Sequence, residues 1–537
     1  MLTRHNKYLL YTSLCLIFLV ITIHYRQEIS LSSHDIGSGS SQGEEPTSTK
    51  PIIQAAETPA TPPAPPEHTF KYKPIPSILP NPIVDNFPLA AAAQSAKDLP
   101  PIPPWNEPPA KHVPEKTPLF IGFTRNWRLL QQVVVSYITA GWPPEDIYVV
   151  ENTGVMNSNA KSLLSLQNPF FLNHTRLHLL GVNILVTPTL LTFAQLQNYY
   201  ISHSLDQGWK QFFWGHMDIV ALSFEDKYEN KQANTSEVDP AEEKYEGFKS
   251  LYKNCVDTLR EATEKNETTG EEKKWALRFF MYDKLALVNV AAFVSLGAWD
   301  TQIPFYGTDC DMHARINMAG LEIKEVPAGL LLDVASSLDD LYTLYRKVDS
   351  PPASFIDPQI LEKKIQAAAD AKAEAEKAAA AAADSKVSSL LTDTNPIPPN
   401  TKRGSDSDSK TQEAADANAN SKEVWYSHLL PSLGTHKPWR SPSSTINSPS
   451  FALLHDTLKA MEHSKATSSH GRNTWQARQR GGEGDPFYRD SAGFERGIAM
   501  TIDHGRAVYA EKWGHRDCDI WEKGYKLEDA WRTEKDW

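Results

Sequence analysis

Apolar positions follow three different patterns along this chain. Tyr8 to His24 (YLLYTSLCLIFLVITIH) is a run of 17 residues with no formal charge when His24 is neutral. Arg4 and Lys7 precede it and Arg26 closes it. Such a run reads as one membrane-spanning helix over 8–25, at the short end of what a bilayer needs and suited to the thinner membranes of the early secretory pathway. A cleaved signal is the alternative, against which stands the lack of a small-x-small site after the run. From 26 to 114 apolar residues are sparse and Pro takes over (TPATPPAPPE, LPPIPPWNEPP), which predicts a disordered, extended stem. From Pro118 the spacing becomes regular.

Leu119–Phe123 reads as a buried strand and Trp127–Ala140 as a helix, stopped by Gly141-Trp-Pro-Pro. Ile147–Val150, Val182–Val186 and Lys210–Trp214 are further strands, with a helix over Phe193–Ser204. Strands alternating with helices predict a mainly parallel sheet flanked by helices. Ligands of such sheets bind beyond the carboxyl ends of the strands, where Thr124, Glu151 and Asp218 fall. Residues 225–274 read as an insertion whose stripe Tyr245, Phe248, Tyr252, Val256 and Leu259 is a packing face. Trp275–Phe280 and Leu285–Asn289 return as strands. The body therefore spans 115–348. A low-complexity stretch follows over 349–422, with a solvated Ala/Lys/Glu helix at Leu361–Asp384, and the final segment, 423–537, packs back on the body with a helix over Phe494–Trp513.

Charge and cysteine content narrow the function classes. A net charge of −12 argues against a nucleic-acid partner, because phosphate neutralisation needs a basic face. Four cysteines are too few for a disulfide scaffold, and with Cys15 in the apolar run only Cys255, Cys310 and Cys518 remain, enough for one bridge. Sequons at Asn173, Asn234 and Asn266 agree with a lumenal body behind a type II anchor in the Golgi or endoplasmic reticulum membrane. Neither a His-Glu-x-x-His, a Gly-x-Ser-x-Gly nor a Walker loop occurs.

Two constellations carry chemistry. Asp218 follows a strand of bulky apolar residues, where a carboxylate meets a divalent ion at the sheet's edge; a cap or turn residue is the plainer reading. The second reads Leu296-Gly-Ala-Trp-Asp300, then Gly307-Thr-Asp-Cys-Asp311, then Arg315 and Gly320-Leu-Glu-Ile-Lys-Glu-Val-Pro327. In order, spacing and residue type it resembles the second half of GT-A-fold, Rossmann-like nucleotide-sugar glycosyltransferases of the inverting kind. That resemblance implies Asp309 as general base and places Asp311 at the helix start or the acceptor. Trp299 and Gly307 fall on the acceptor side. Thr124, Arg125, Glu151, Asn198 and His216 fall around the nucleotide, with Asp218 as the ligand of a Mn or Mg ion. The family's Asp-x-Asp reads His216-Met-Asp218 here, and where the family has a later His ligand this chain has Leu330-Leu-Leu-Asp333, which makes Asp333 either the substitute ligand or a turn residue. Tyr509-Ala-Glu-Lys-Trp-Gly514 resembles the Lys-Trp-Gly close of some members, and His515 beside it is a further candidate ligand.

The expected partners are a nucleotide-sugar donor, a glycan or glycoconjugate acceptor, and the membrane. The expected activity is metal-dependent, inverting hexosyl or N-acetylhexosaminyl transfer. The alternative is a GT-A-like lumenal subunit that lost catalysis and serves binding or assembly; His216 and Thr308, each standing where an acid is expected, favour it.

Overall fold

The computed structural model describes residues 71, 82–228, 245, 247–265, 270–390, 441–467 and 491–537. The expected membrane segment, most of the stem, Asn234, Asn266 and the stretch 391–440 lie outside the described residues. Among the described residues no helix is long and apolar enough to cross a membrane. The chain divides into Met1–Pro74 and Ile75–Trp537, and every element named here belongs to the second unit.

A seven-stranded sheet forms the centre. Its strands are β1 (Leu119–Phe123), β2 (Ile147–Glu151), β3 (Asn183–Val186), β4 (Gln211–Gly215), β6 (Trp275–Phe279), β7 (Leu285–Asn289) and β8 (Glu322–Glu325), in the spatial order β3-β2-β1-β4-β7-β6-β8. All run the same way except β7, which is antiparallel to both its neighbours. β5 (Ile219–Leu222) and β9 (Leu330–Asp333) pair antiparallel in a separate two-stranded sheet. The result is a mixed α/β body with a mostly parallel central sheet.

The apolar strands follow from burial on both faces. Leu119, Ile121 and Phe123 face one core and Phe120 the other; Phe213 faces the first, Phe212 and Trp214 the second; Leu285 and Leu287 the first, Ala286 and Val288 the second. This is the period-2 alternation of a pleated strand with apolar neighbours on either side. The first core is roofed by α1 (Trp127–Thr139), whose start is capped by the Asn126 side chain accepting from Leu129 N at 3.3 Å. It also receives α4 (Leu251–Thr263). The second core is covered by α3 (Phe193–Asp206), α5 (Val290–Ser295) and α6 (Thr308–Met318). The short α2 (His174–Leu179) precedes β3.

Three helices come from the low-complexity and C-terminal parts. α7 (Pro358–Leu390) presents exposed residues over most of its described length. α8 (Pro449–Thr467), which the sequence reading did not anticipate, buries Phe451, Leu454, Leu458 and Met461 in the first core. α9 (Ser491–Trp513) ends on Tyr509 and Trp513, which pack with Ile303, Ala314 and Ile520. Cys310 and Cys518 are disulfide-bonded across 5.1 Å between Cα atoms, leaving Cys255 buried and reduced.

The stem expectation needs correction over 82–114. Phe87, Ala90 and Trp105 are buried, Asp85 pairs with Arg176 at 2.9 Å, and the Asn106 amide donates to Thr139 O at 2.8 Å. Prolines with fixed φ lose less entropy on ordering, so a few apolar and polar anchors suffice to lay this stretch on the body.

Arg346 and Glu225 form a fully buried ion pair at 3.2 Å, joined by the Asn106 amide at 3.4 Å. Burial pushes the Glu225 carboxyl up despite the guanidinium. Removing one partner strands the other charge, so Arg346→Ala is expected to cost about 3–5 kcal/mol in urea unfolding, whereas Arg346→Met with Glu225→Gln recovers most of it. A loss below about 1 kcal/mol for Arg346→Ala is incompatible with a dry pair.

Candidate functional site

The carboxyl ends of β1, β2 and β4 place the expected nucleotide-side residues along one edge. Thr124 is half-buried and Arg125 is 5% exposed, immediately after β1. Glu151 ends β2 and is buried, with its carboxylate already engaged. Oε1 accepts from Asn159 Nδ2 at 2.7 Å, and Oε2 lies 2.7 Å from His174 Nε2. Asn198 on α3 clamps the turn before α6: its Nδ2 donates to Trp299 O at 2.8 Å and its Oδ1 accepts from Trp299 N at 2.9 Å. Trp299 is thereby held against Phe193 and Phe293 at centroid distances of 5.5 and 5.8 Å.

Asp218 lies in the turn between β4 and β5, and Asp333 ends β9. Register brings them together, because Ile219 pairs with Asp333 and Val334 N donates to Asp218 O at 2.8 Å. Between the two carboxylates stands the ammonium of Lys465, from α8, at 2.6 Å from Asp218 Oδ2 and 2.5 Å from Asp333 Oδ1. Burial opposes the charge of Lys465, but the two carboxylates outweigh it and hold the ammonium above its ordinary range. The same helix places Glu462 to accept from Asp333 N at 3.1 Å and from Lys284 Nζ at 3.0 Å.

His216 links this cluster to the next. Its Nδ1 is 3.7 Å from Asp218 Oδ1 and its Nε2 3.5 Å from Asp283 Oδ2, with its ring 5.3 Å from that of Trp214. Burial works against its proton, yet the hydrogen bond and charge of Asp283 and the charge of Asp218 raise it above the usual imidazole range.

Asp309 sits in the first turn of α6. It lines two adjoining hollows, a small one of about 20 Å³ beneath Trp214 and Trp299 and one of about 280 Å³ toward Trp521; Tyr282 and His313 line both as well. Asp283 belongs to the first hollow, so the Asp218–His216–Asp283 chain leads to the wall that carries Asp309. Asp218 itself is not among the residues lining that hollow. Burial holds His313 below the ordinary imidazole range, although Asp309 and Asp283 pull the other way.

The two aspartates of Gly307-Thr-Asp-Cys-Asp311 have different occupations. Asp311 is wholly buried. It takes Arg315 Nε at 2.9 Å, Lys512 Nζ at 2.7 Å and Trp513 Nε1 at 3.0 Å. Lys512 also meets Asp300 at 2.8 Å, so both motif acids converge on the Lys-Trp-Gly segment. The Asp309 carboxylate makes no hydrogen bond or ion pair among the described residues. Gly307 has φ +88°, and a Cβ there would come within 3.4 Å of Tyr509 Cβ, so its close neighbour is α9. Asn173 caps α2, its side-chain oxygen accepting from Arg176 N at 2.9 Å.

The residues expected to hold a divalent ion do not fit one as they stand. Metal oxygens and an ammonium compete for the same lone pairs, and Lys465 has those of Asp218 and Asp333. One other group among the described residues brings metal-type side chains together: His515, Asp517 and Asp519, ligand atoms within 4.8 Å of one another. There, too, cationic hydrogen-bond partners are present, Lys523 Nζ lying 3.0 Å from His515 Nε2.

Sequence reasoning missed Lys465, Asp283 and His313. Phe451, Leu454, Leu458 and Met461 are spaced by three and four and signal the helix that carries Lys465. Nothing in the sequence signalled Asp283, in the β6–β7 turn.

No protein-family model and no curated protein matches the sequence. Solved structures align at low scores. A mannosyltransferase from Pyrobaculum calidifontis in complex with GDP-Man and Mn2+ aligns with TM-score 0.25 and 13% identity, over 42% of this chain and 60% of that one. A cytidylyltransferase from Leptospira borgpetersenii serovar Hardjo-bovis gives 0.23 and 10%, over 41% and 82%. The catalytic domain of Drosophila beta1,4-galactosyltransferase 7 in complex with xylobiose gives 0.20 and 13%, over 39% and 64%. This chain thus spans less than two thirds of the mannosyl- and galactosyltransferase chains. Alignments of this extent assign neither activity nor substrate. The strand order and the single reversed strand of the sheet are compatible with a GT-A-like fold.

Asp311→Asn is expected to lower the melting temperature of the full chain by several degrees, since it removes charge beneath Arg315 and Lys512, while Asp309→Asn leaves it within about a degree. Equal melting shifts would contradict the division of labour. His515 is held above the ordinary imidazole range: burial lowers it, but Asp519 and Asp536 outweigh that. A raised pKa stabilises fully below the unfolded value and fades as pH rises through the folded one. His515→Gln should therefore cost more stability near about pH 6 than near about pH 8.5 in paired melts, and a cost independent of pH would refute it.

Proposed function

We propose that the chain is a glycosyltransferase that moves a sugar from a nucleoside-diphosphate donor to a hydroxyl of a glycan or glycoconjugate, with inversion, on the lumenal side of a secretory-pathway membrane. The observation that carries this reading is the unengaged carboxylate of Asp309 on the wall of the cleft, two residues from an aspartate whose oxygens are fully used. An aspartate without a hydrogen-bond partner among the described residues, on the wall of a hollow lined by Trp214, Trp299 and His313, is placed to take a proton.

In the proposed step the acceptor O–H gives its proton to Asp309 while its oxygen forms a bond to the anomeric carbon. The bond from that carbon to the diphosphate oxygen breaks on the opposite face, and the diphosphate leaves with the electron pair. Trp299, fixed by Asn198, supplies an apolar wall for a sugar face. Thr124, Arg125 and His216 lie along the edge where the nucleotide is expected. The donor expected on this reading is a hexosyl or N-acetylhexosaminyl nucleotide.

A second reading, an assembly or binding subunit without turnover, is favoured by one observation: the candidate metal carboxylates are already paired with Lys465.

The test is release of nucleoside diphosphate by the purified full chain against a panel of nucleotide sugars and oligosaccharide acceptors. Turnover with one donor, reduced about 10²–10⁴-fold in Asp309→Asn and giving the inverted anomer by NMR, is the expected result. No turnover with any donor, together with unchanged acceptor binding in Asp309→Asn, would leave the second reading. Retention of configuration would rule out Asp309 as base.

A further inference from the structure

We propose that Lys465 is a resident cation of this site: its ammonium occupies the position between Asp218 and Asp333 that a divalent metal would take, so the protein binds no metal there. This stands independently of the transferase reading above.

The geometry is specific. Pairing of β5 with β9 sets two carboxylates side by side, an arrangement whose mutual repulsion demands a cation. Lys465 supplies it with contacts of 2.6 and 2.5 Å to one oxygen of each. Nor is this a surface lysine that swings in. Its side chain is 5% exposed, and its helix is fixed by Phe451, Leu454, Leu458 and Met461 in the main core. Polar contacts lock the same turn: Glu462 bridges Asp333 N and Lys284, Ser464 Oγ donates to Asp357 at 2.8 Å, and Gln359 Nε2 donates to Ser464 O at 2.6 Å. Displacing the ammonium means undocking α8.

The test is Mn2+ binding to the full chain, read from loss of the free-ion EPR signal with no donor present. Wild type and Asp218→Asn should give the same isotherm, any binding at His515, Asp517 and Asp519 being common to both. Lys465→Ala, which uncovers the two carboxylates, should gain about one additional Mn2+ that the double variant Lys465→Ala/Asp218→Asn loses. A wild-type ion that Asp218→Asn or Asp333→Asn removes overturns the proposal. So does the absence of a gained site in both Lys465→Ala and Lys465→Met when each melts cooperatively; the wild-type comparison stands even if neither folds. With a donor that turns over, a chelator should leave the wild-type rate within about twofold. If no donor turns over, the transferase reading fails while the Mn2+ comparison still decides the cation.

Discussion

The constraint on which the rest depends is that the central sheet is covered on both faces. Phe120, Phe212 and Trp214 pack one way while Leu119, Ile121 and Phe213 pack the other, so the central strands are apolar on both faces. Polar side chains of these strands thus gather at the strand ends and the turns beyond them. That is why Asp218, Asp283 and His216 gather along an edge, where His216 lies 3.7 and 3.5 Å from the two carboxylates, and why Glu151, at the end of β2, meets His174 at 2.7 Å. The reversed β7 adds to this. Its antiparallel pairing brings the β6–β7 turn, with Asp283, back to the end of β4, where His216 begins the next turn.

The second organising contact is the return of the C-terminal segments. α8 closes the β5–β9 pair with Lys465, and the end of α9 closes α6 with Lys512, Trp513 and the Cys310–Cys518 bridge. In each case a lysine from late in the chain is inserted between two aspartates of the body: Asp218 and Asp333 in one, Asp300 and Asp311 in the other. Each triad leaves a net negative charge, which extra donors compensate: Arg315 and Trp513 at the second, His216 at the first. Burial of such triads is tolerable only when nearly every lone pair is used.

Much of the body was legible. Continuous apolar runs of five residues bounded by turn signals located β1, β4, β6 and β7, because a strand buried on both faces carries no alternation to obscure. Direction was not legible: the run Leu285–Asn289 reads the same whether parallel or reversed, since pairing is decided by what lies beside it. The 82–114 stretch was misread because proline content signals disorder only when no apolar anchor is spaced to catch the chain, and Phe87 and Trp105 are such anchors. At the site, the Gly307–Asp311 stretch was legible as a turn that opens a helix, which is how α6 begins. The company of Asp218 was not, because Lys465 lies 247 positions away in a helix reached only through low-complexity sequence.

That separation bears on how the two aspartate pairs are to be understood. A carboxylate pair set up by strand register is a local product of the fold and will attract whatever cation is nearest. A metal must be captured from solution against its hydration shell, whereas an ammonium tethered by a docked helix is supplied at high effective concentration and loses its entropy once, on folding. His216 in place of an acid fits the same logic: a third carboxylate beside Asp218, Asp333 and Asp283 would overload one ammonium, and an imidazole that tends to hold its proton relieves it. His216 and Lys465, far apart in the sequence, thus bear on the same carboxylate of Asp218.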